Sequence, residues 1–106
     1  MLKDSNQTKL IEILSIGMIL VFNIPDIVND EEKEEFFKTI SYNVKKLRIE
    51  KGISQLEVAL SIGQKSSGFY ANTENYKHGN HFNLLHLFKL SKLFDVDISE
   101  FFKPIR

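Results

Sequence analysis

Three histidines, His78, His81 and His86, are the side chains of this chain best suited to ligate a metal ion, and no cysteine is present to join them. Two of them sit among Asn80, Gly79 and Asn83 with the spacing of a loop, so they read as ordinary surface, and neither a metal nor another cofactor is expected. Catalysis has no better footing. No Ser, Thr or Lys stands in a recognisable nucleophile motif and no glycine-rich phosphate loop is present. The densest acidic cluster, Asp30 to Glu35 with five acids and one lysine, lies where a helix begins and is explained by the positive end of the helix dipole. The absence of cysteine also excludes disulfides, a thiolate zinc site and a thiol nucleophile. It fits a reducing compartment, and a cytoplasmic, non-enzymatic protein is expected.

Binding is the remaining class, and the chain has the size of a single domain with one appendage. It has 106 residues, 42% hydrophobic and 26% charged, which is ordinary globular composition. Fourteen basic and fourteen acidic residues cancel, so a strongly basic chain is not what would draw this protein to nucleic acid. The charges are nonetheless segregated. From Glu57 to Lys92 the only acids are Glu57 and Glu74, against Lys65, Lys77, Lys89 and Lys92, as a binding face or a solvated surface would have it.

Residues 10–24 hold eleven apolar positions, and the thirteen residues between Glu12 and Asp26 carry no charge. Thirteen residues are too few to cross ~30 Å of hydrocarbon as a helix. Asp4 and Glu12 sit where a signal peptide needs basic residues, so that reading is poor as well. A buried helix ended at Ile24-Pro25 is expected, with a strand through Met18 to Phe22 as its rival. Asn29 with Asp30, Glu31 and Glu32 then starts a helix whose apolar residues Phe36, Ile40, Val44 and Leu47 repeat at helical spacing up to Gly52. Ser54 caps a short helix through Ile62, with Glu57 at capping-box spacing, and Gly63 stops it. Ser66 or Ser67 caps a third helix to about Asn75. A loop follows to Phe82, Asn83 starts a fourth helix with a wide apolar face, and Asp97 and Glu100 frame a last turn carrying Ile98, Phe101 and Phe102 inward. Phe69 and Phe88 read as core.

Two short helices joined at a glycine, between a longer helix and an apolar one, is the layout of a helix-turn-helix domain. The run from Leu47 to Ala59, LRIEKGISQLEVA, resembles the start of the Cro/phage-repressor (XRE-type) family, and Leu87, Lys89, Leu90, Lys92, Asp95-Val96, Ile98, Glu100 and Phe101-Phe102 resemble its fourth and fifth helices. The resemblance covers about two thirds of the chain. It implies an all-α, five-helix repressor-like domain over residues 29–106, with residues 1–28 as an added N-terminal hydrophobic helix serving as a dimerisation arm. The chain departs from the family pattern in four ways: one extra residue between Gly63 and Glu74, which leaves two registers for the third helix, a loop after Glu74 longer by about two residues, Gly68 inside the third helix, and no arginine there.

By that resemblance the protein is a sequence-specific, duplex-DNA-binding transcription regulator acting as a homodimer. Gln55 would touch a phosphate at the first turn of the second helix. Lys65, Ser66, Ser67, Tyr70, Ala71 and Asn72 would lie on the DNA side of the third, Asn72 suited to adenine and the Ala71 methyl to thymine. Asn75 and Lys77 would hold phosphates, and Arg48 is either a phosphate ligand or a helix-end charge. The structural alternatives are Ser66 and Ser67 as caps, Tyr70 as core and Asn72 as plain surface. The rival function is an antitoxin or anti-repressor whose main partner is another protein, a reading favoured by the neutral charge and the arginine-free third helix.

Overall fold

The computed structural model describes residues 26–105 together with residues 9, 12 and 13. Apart from residues 12 and 13, the apolar stretch 10–24, with the expected N-terminal helix and dimerisation arm, lies outside the described residues. The elements run in order α1 (Asp30–Glu50), α2 (Gln55–Ser61), α3 (Ser67–Glu74), a 3-10 turn at Lys77–Gly79, α4 (Leu84–Phe94) and a second 3-10 turn at Ile98–Phe102. The described residues contain no strand, and where a fifth helix was expected the chain makes only the Ile98–Phe102 turn. No helix among them is long and apolar enough to cross a membrane.

Each helix starts at a side chain that satisfies an otherwise orphaned backbone N–H. Asn29 accepts from the Glu32 N–H at 2.8 Å while the Glu32 carboxylate accepts from the Asn29 N–H at 3.3 Å, a complete capping box with Asp30, Glu31 and Glu32 at the positive helix end. Ser54 and Ser66 cap α2 and α3 by accepting from Glu57 and Phe69, each at 3.1 Å. The reciprocal bond from Glu57 is not made, so Ser54 is a simple cap. Asn83 and His86 make the second capping box at α4, with the imidazole Nδ1 accepting from the Asn83 N–H.

The core draws on all four helices and the last turn: Ile40 and Val44 of α1, Val58 of α2 with Ile62 at its C-cap, Tyr70 of α3, Leu87, Leu90 and Phe94 of α4, and Phe101 of the Ile98–Phe102 turn. Helix α1 is the common wall. Its buried Ser41 donates to the Thr73 carbonyl at 3.0 Å, and its buried Asn43 donates to the carbonyls of Phe101 and Lys103 at 3.0 and 2.8 Å. Two polar side chains two residues apart thus fix α3 on one side and the C-terminal turn on the other.

Several residues expected inside are at the surface. Helix α4 buries only the stripe Leu87, Leu90, Ser91 and Phe94, so Leu84 and Leu85 face out and Phe88 is 53% exposed, its ring lying under the Lys92 ammonium at 5.4 Å. The apolar composition of α4 exceeds what a single contact face can cover. Phe36, Ile98 and Phe102 are likewise at the rim, with Phe36 stacked on Phe102 at 6.2 Å. Phe69, also expected in the core, is on the surface, and its neighbour Tyr70 takes the buried place.

Losing Asn43 should cost more stability than losing a cap. Asn43→Ala leaves two carbonyls without their donor, one of them buried, an expected loss of about 1 to 3 kcal/mol. Asn29→Ala removes one exposed cap at about 1 kcal/mol. Urea unfolding with an unchanged slope checks the order of the two midpoints.

Candidate nucleic-acid interface

The turn between α2 and α3 is built by the backbone. Gly63 has φ +81°, and around it the N–H groups of Gly63 and Gln64 return to the carbonyls of Leu60 and Ala59 at 3.2 and 2.8 Å, closing the end of α2. Ser66 is the cap of α3, so the helix begins at Ser67 and its register is fixed. Gly68 then falls in the first turn, where several N–H groups have no helical partner in any case.

Helix α3 turns Tyr70, Thr73 and Glu74 inward. One helical turn apart on the opposite side are Gly68 and Asn72, with Phe69 and Ala71 beside them and Asn75 at the end. Lys65, Ser66, Gly68, Phe69 and Asn75 are exposed, while Ser67, Ala71 and Asn72 are half-buried. Lys77 is exposed in the following 3-10 turn, where Tyr76 and His78 both take left-handed backbone at φ 52° and 56°. Seven of the nine expected site residues therefore share a surface made by α3 and its flanks. The Asn75 amide nitrogen is held by the Ala71 carbonyl at 2.9 Å, leaving its oxygen outward.

Tyr70 does not belong to that surface. It is fully buried against Phe82, with ring centroids 5.8 Å apart, so its place among the expected DNA contacts is corrected to the core. Gln55 stands apart for another reason. Its side-chain nitrogen donates to Glu74 at 3.3 Å, which turns the amide toward the protein.

Glu74 is the residue that sequence reasoning missed. Arg48, near the C-terminal end of α1, donates through Nε to Glu74 Oε2 at 2.8 Å and through Nη2 to Oε1 at 3.0 Å, and its Nη1 donates to the Ile53 carbonyl at 3.0 Å. The carboxylate side chain has no exposure and the guanidinium side chain 12%. Arg48 is thus spent on a structural pair and is not a free phosphate ligand. Burial alone would raise the Glu74 carboxyl, but the hydrogen bonds and charge of Arg48, with Gln55 in support, outweigh it and hold the group below its ordinary 4.5. The Arg48 guanidinium is pushed up by the same bond. The Tyr70 hydroxyl is buried beside the pair without a hydrogen bond of its own, and burial, then the Glu74 charge, pushes it well above the usual phenol range. The one clue in the sequence was that Glu74 is the only acid of α3.

The histidines take separate tasks. His81 stacks on Phe37 at 3.9 Å and its Nδ1 lies 3.0 Å from the Gly79 carbonyl, whereas His86 serves the α4 cap. Among the described residues no three His, Cys, Asp or Glu side chains lie together as a metal site.

A family model described as helix-turn-helix matches residues 44–101, from the middle of α1 into the C-terminal turn. No curated protein and no solved structure matches the chain.

Glu74→Ala would leave a largely buried guanidinium unpaired, an expected loss of about 3 to 5 kcal/mol, whereas replacing both partners together, Arg48→Met with Glu74→Leu, should cost far less than the two single changes combined. The pair also sets an acid limb. Because the folded-state pKa of Glu74 is depressed, its contribution is complete above about pH 4.5 and is lost as pH falls through the folded value. Asp97, held down by the Ser99 N–H, contributes in the same range. The stability difference between wild type and Glu74→Gln, followed by urea unfolding from pH 7 to pH 3, isolates Glu74 and should shrink only below pH 4.5.

Proposed function

The chain belongs to the Cro/phage-repressor family of helix-turn-helix proteins, and we propose that it binds duplex DNA sequence-specifically as a homodimer and regulates transcription in the cytoplasm. The observation that carries this reading is the outward face of α3, with Gly68 and Asn72 one turn apart, Lys65 before it and Lys77 after it, on a helix tied to α1 and α2 through Glu74. A helix held this way enters the major groove as one rigid body. Asn72 then reads a base, adenine by its donor and acceptor pattern, with Lys65, Ser66 and Ser67 at the N-terminal end and Ala71 beside it. Asn75 and Lys77 contact phosphates. Gln55 contributes through what its bond to Glu74 leaves free and through the first-turn N–H groups of α2.

One such domain covers half an operator, so a second copy supplies the rest of the contact. Residues 1–28 are the proposed dimerisation arm, because a stretch as apolar as 10–24 needs an apolar partner and pairing of two such arms would bury area at ~25 cal/mol per Å². The second reading, an antitoxin or anti-repressor held by another protein, is favoured by Leu56 and Leu60, which stand exposed one turn apart on α2.

Selection of duplexes from a random pool should enrich a palindrome. Neutralising ~4 to 6 phosphates per dimer should give a slope of about −4 to −5 for log affinity against log salt. Asn72→Ala should cost about 1 to 3 kcal/mol at one base pair and relax preference there, while Lys77→Ala weakens all sequences alike. No binding to any duplex at low salt would favour the protein-partner reading. Deletion of residues 1–25 should yield a folded monomer by light scattering with much weaker operator binding. A folded dimer would take the arm out of dimerisation.

A further inference from the structure

Phe69 lies on the outward side of α3 and is 51% exposed, although the next residue, Tyr70, is completely buried. Three exposed phenylalanines elsewhere in the fold have aromatic or cationic partners: Phe36 and Phe102 stack on one another, and Phe88 lies beneath Lys92. Among the described residues no aromatic ring or cation is placed on Phe69. The space beside it is open, because Gly68 has no side chain and a Cβ added there would meet nothing nearer than the Ser66 hydroxyl at 3.9 Å. Asn72 is three residues on, a neighbour across the same helix surface.

A phenyl ring cannot hydrogen-bond the edge of a base. The apolar atom that the major groove offers is the C5-methyl group of a pyrimidine, carried by thymine and by 5-methylcytosine. Gly68 supplies the gap through which a base edge can approach that close to the helix. We propose that Phe69 is a specificity-determining residue that packs on a pyrimidine C5-methyl group next to the base pair read by Asn72. The inference rests on the DNA-binding reading above. It gives the arginine-free α3 a second source of discrimination, one that does not depend on charge.

The test uses the full chain and the duplex selected from a random pool. Each thymine is replaced in turn by deoxyuridine, which removes only the methyl group, and affinity is measured by competition. At one position in each half-site the wild type should lose about fourfold, the scale of one methyl group withdrawn from an apolar contact. Phe69→Ala should bind more weakly than wild type and show no response to uracil at that position, while its salt slope stays the same. Phe69→Leu, which keeps apolar surface, should retain part of the response and guards against a folding defect. Placing cytosine and then 5-methylcytosine at the same position separates the two sources: recovery with 5-methylcytosine means that the methyl group alone is read, and absence of recovery means that thymine is read as a whole base.

Wild-type binding that ignores every methyl group, or a Phe69→Ala protein with the wild-type uracil response, would overturn the proposal while leaving DNA binding intact. A Phe69→Ala protein that loses self-association by light scattering yet keeps the uracil response would assign the ring to a protein contact and overturn it as well. Failure of the wild type to bind any duplex would instead remove the reading on which it rests.

Discussion

Glu74 and Arg48 are 26 residues apart in sequence, and their paired hydrogen bonds join the last turn of α3 to the end of α1. Gln55 adds the start of α2 to the same carboxylate, and Arg48 reaches the Ile53 carbonyl in the link between α1 and α2. Three helices and one connection therefore meet at a single buried charge. Taking two ions out of water costs several kcal/mol, and their attraction returns this only when geometry is good and the remaining lone pairs are occupied. Here both carboxylate oxygens are used, one of them twice. The planar guanidinium fork accepts one direction of approach, so the pair sets the rotation of α3 about its own axis as well as its distance from α1.

That rotation decides which face of a short helix meets solvent. Within Ser67–Glu74 the apolar residues Phe69 and Tyr70 are neighbours, about 100° apart around the helix, and both cannot point inward. Hydrophobic periodicity cannot choose between them, because the residues one turn further on, Thr73 and Glu74, are polar. With Glu74 fixed inward by Arg48, Tyr70 is carried in with it and Phe69 is turned out. The inward side of α3 was thus hidden from the sequence for a physical reason: its deepest anchor is an ion pair whose partner lies on another helix. The caps were legible because they are local. Asn29, Ser54, Ser66 and Asn83 each satisfy an N–H three residues ahead, and that spacing is readable without any tertiary knowledge. The surface of Lys65, Ser66, Ser67, Ala71, Asn72, Asn75 and Lys77 was readable for the same reason, once the cap set the register. Phe88 on α4 was misplaced because apolar type says that a residue can be buried, not that a partner is there to bury it.

A net charge of zero is weak ground against a DNA-facing surface in this architecture. Helix α1 places Asp30 about 27 Å from Arg48, at 1.5 Å per residue, so the acidic cluster at its start is at the far end of the helix from the Arg48–Glu74 pair. At physiological salt exposed charges are screened over about 8 Å. The stack of Phe37 on Tyr76 brings the start of α1 closer to Lys77 than to Arg48. Glu74, the one acid between Lys65 and Lys77, is neutralised by the Arg48 guanidinium. Between Lys65 and Lys77 the two lysines are then the only charges without an ion-pair partner in the same stretch or on Arg48, although the chain's total is zero. The same structure limits how positive that stretch can be, since Arg48 is committed to the fold and the chain's only other arginine is Arg106. In the DNA-binding proposal, a surface with so few cations draws its selectivity from short, directional or apolar contacts, the kind proposed above for Asn72 and Phe69.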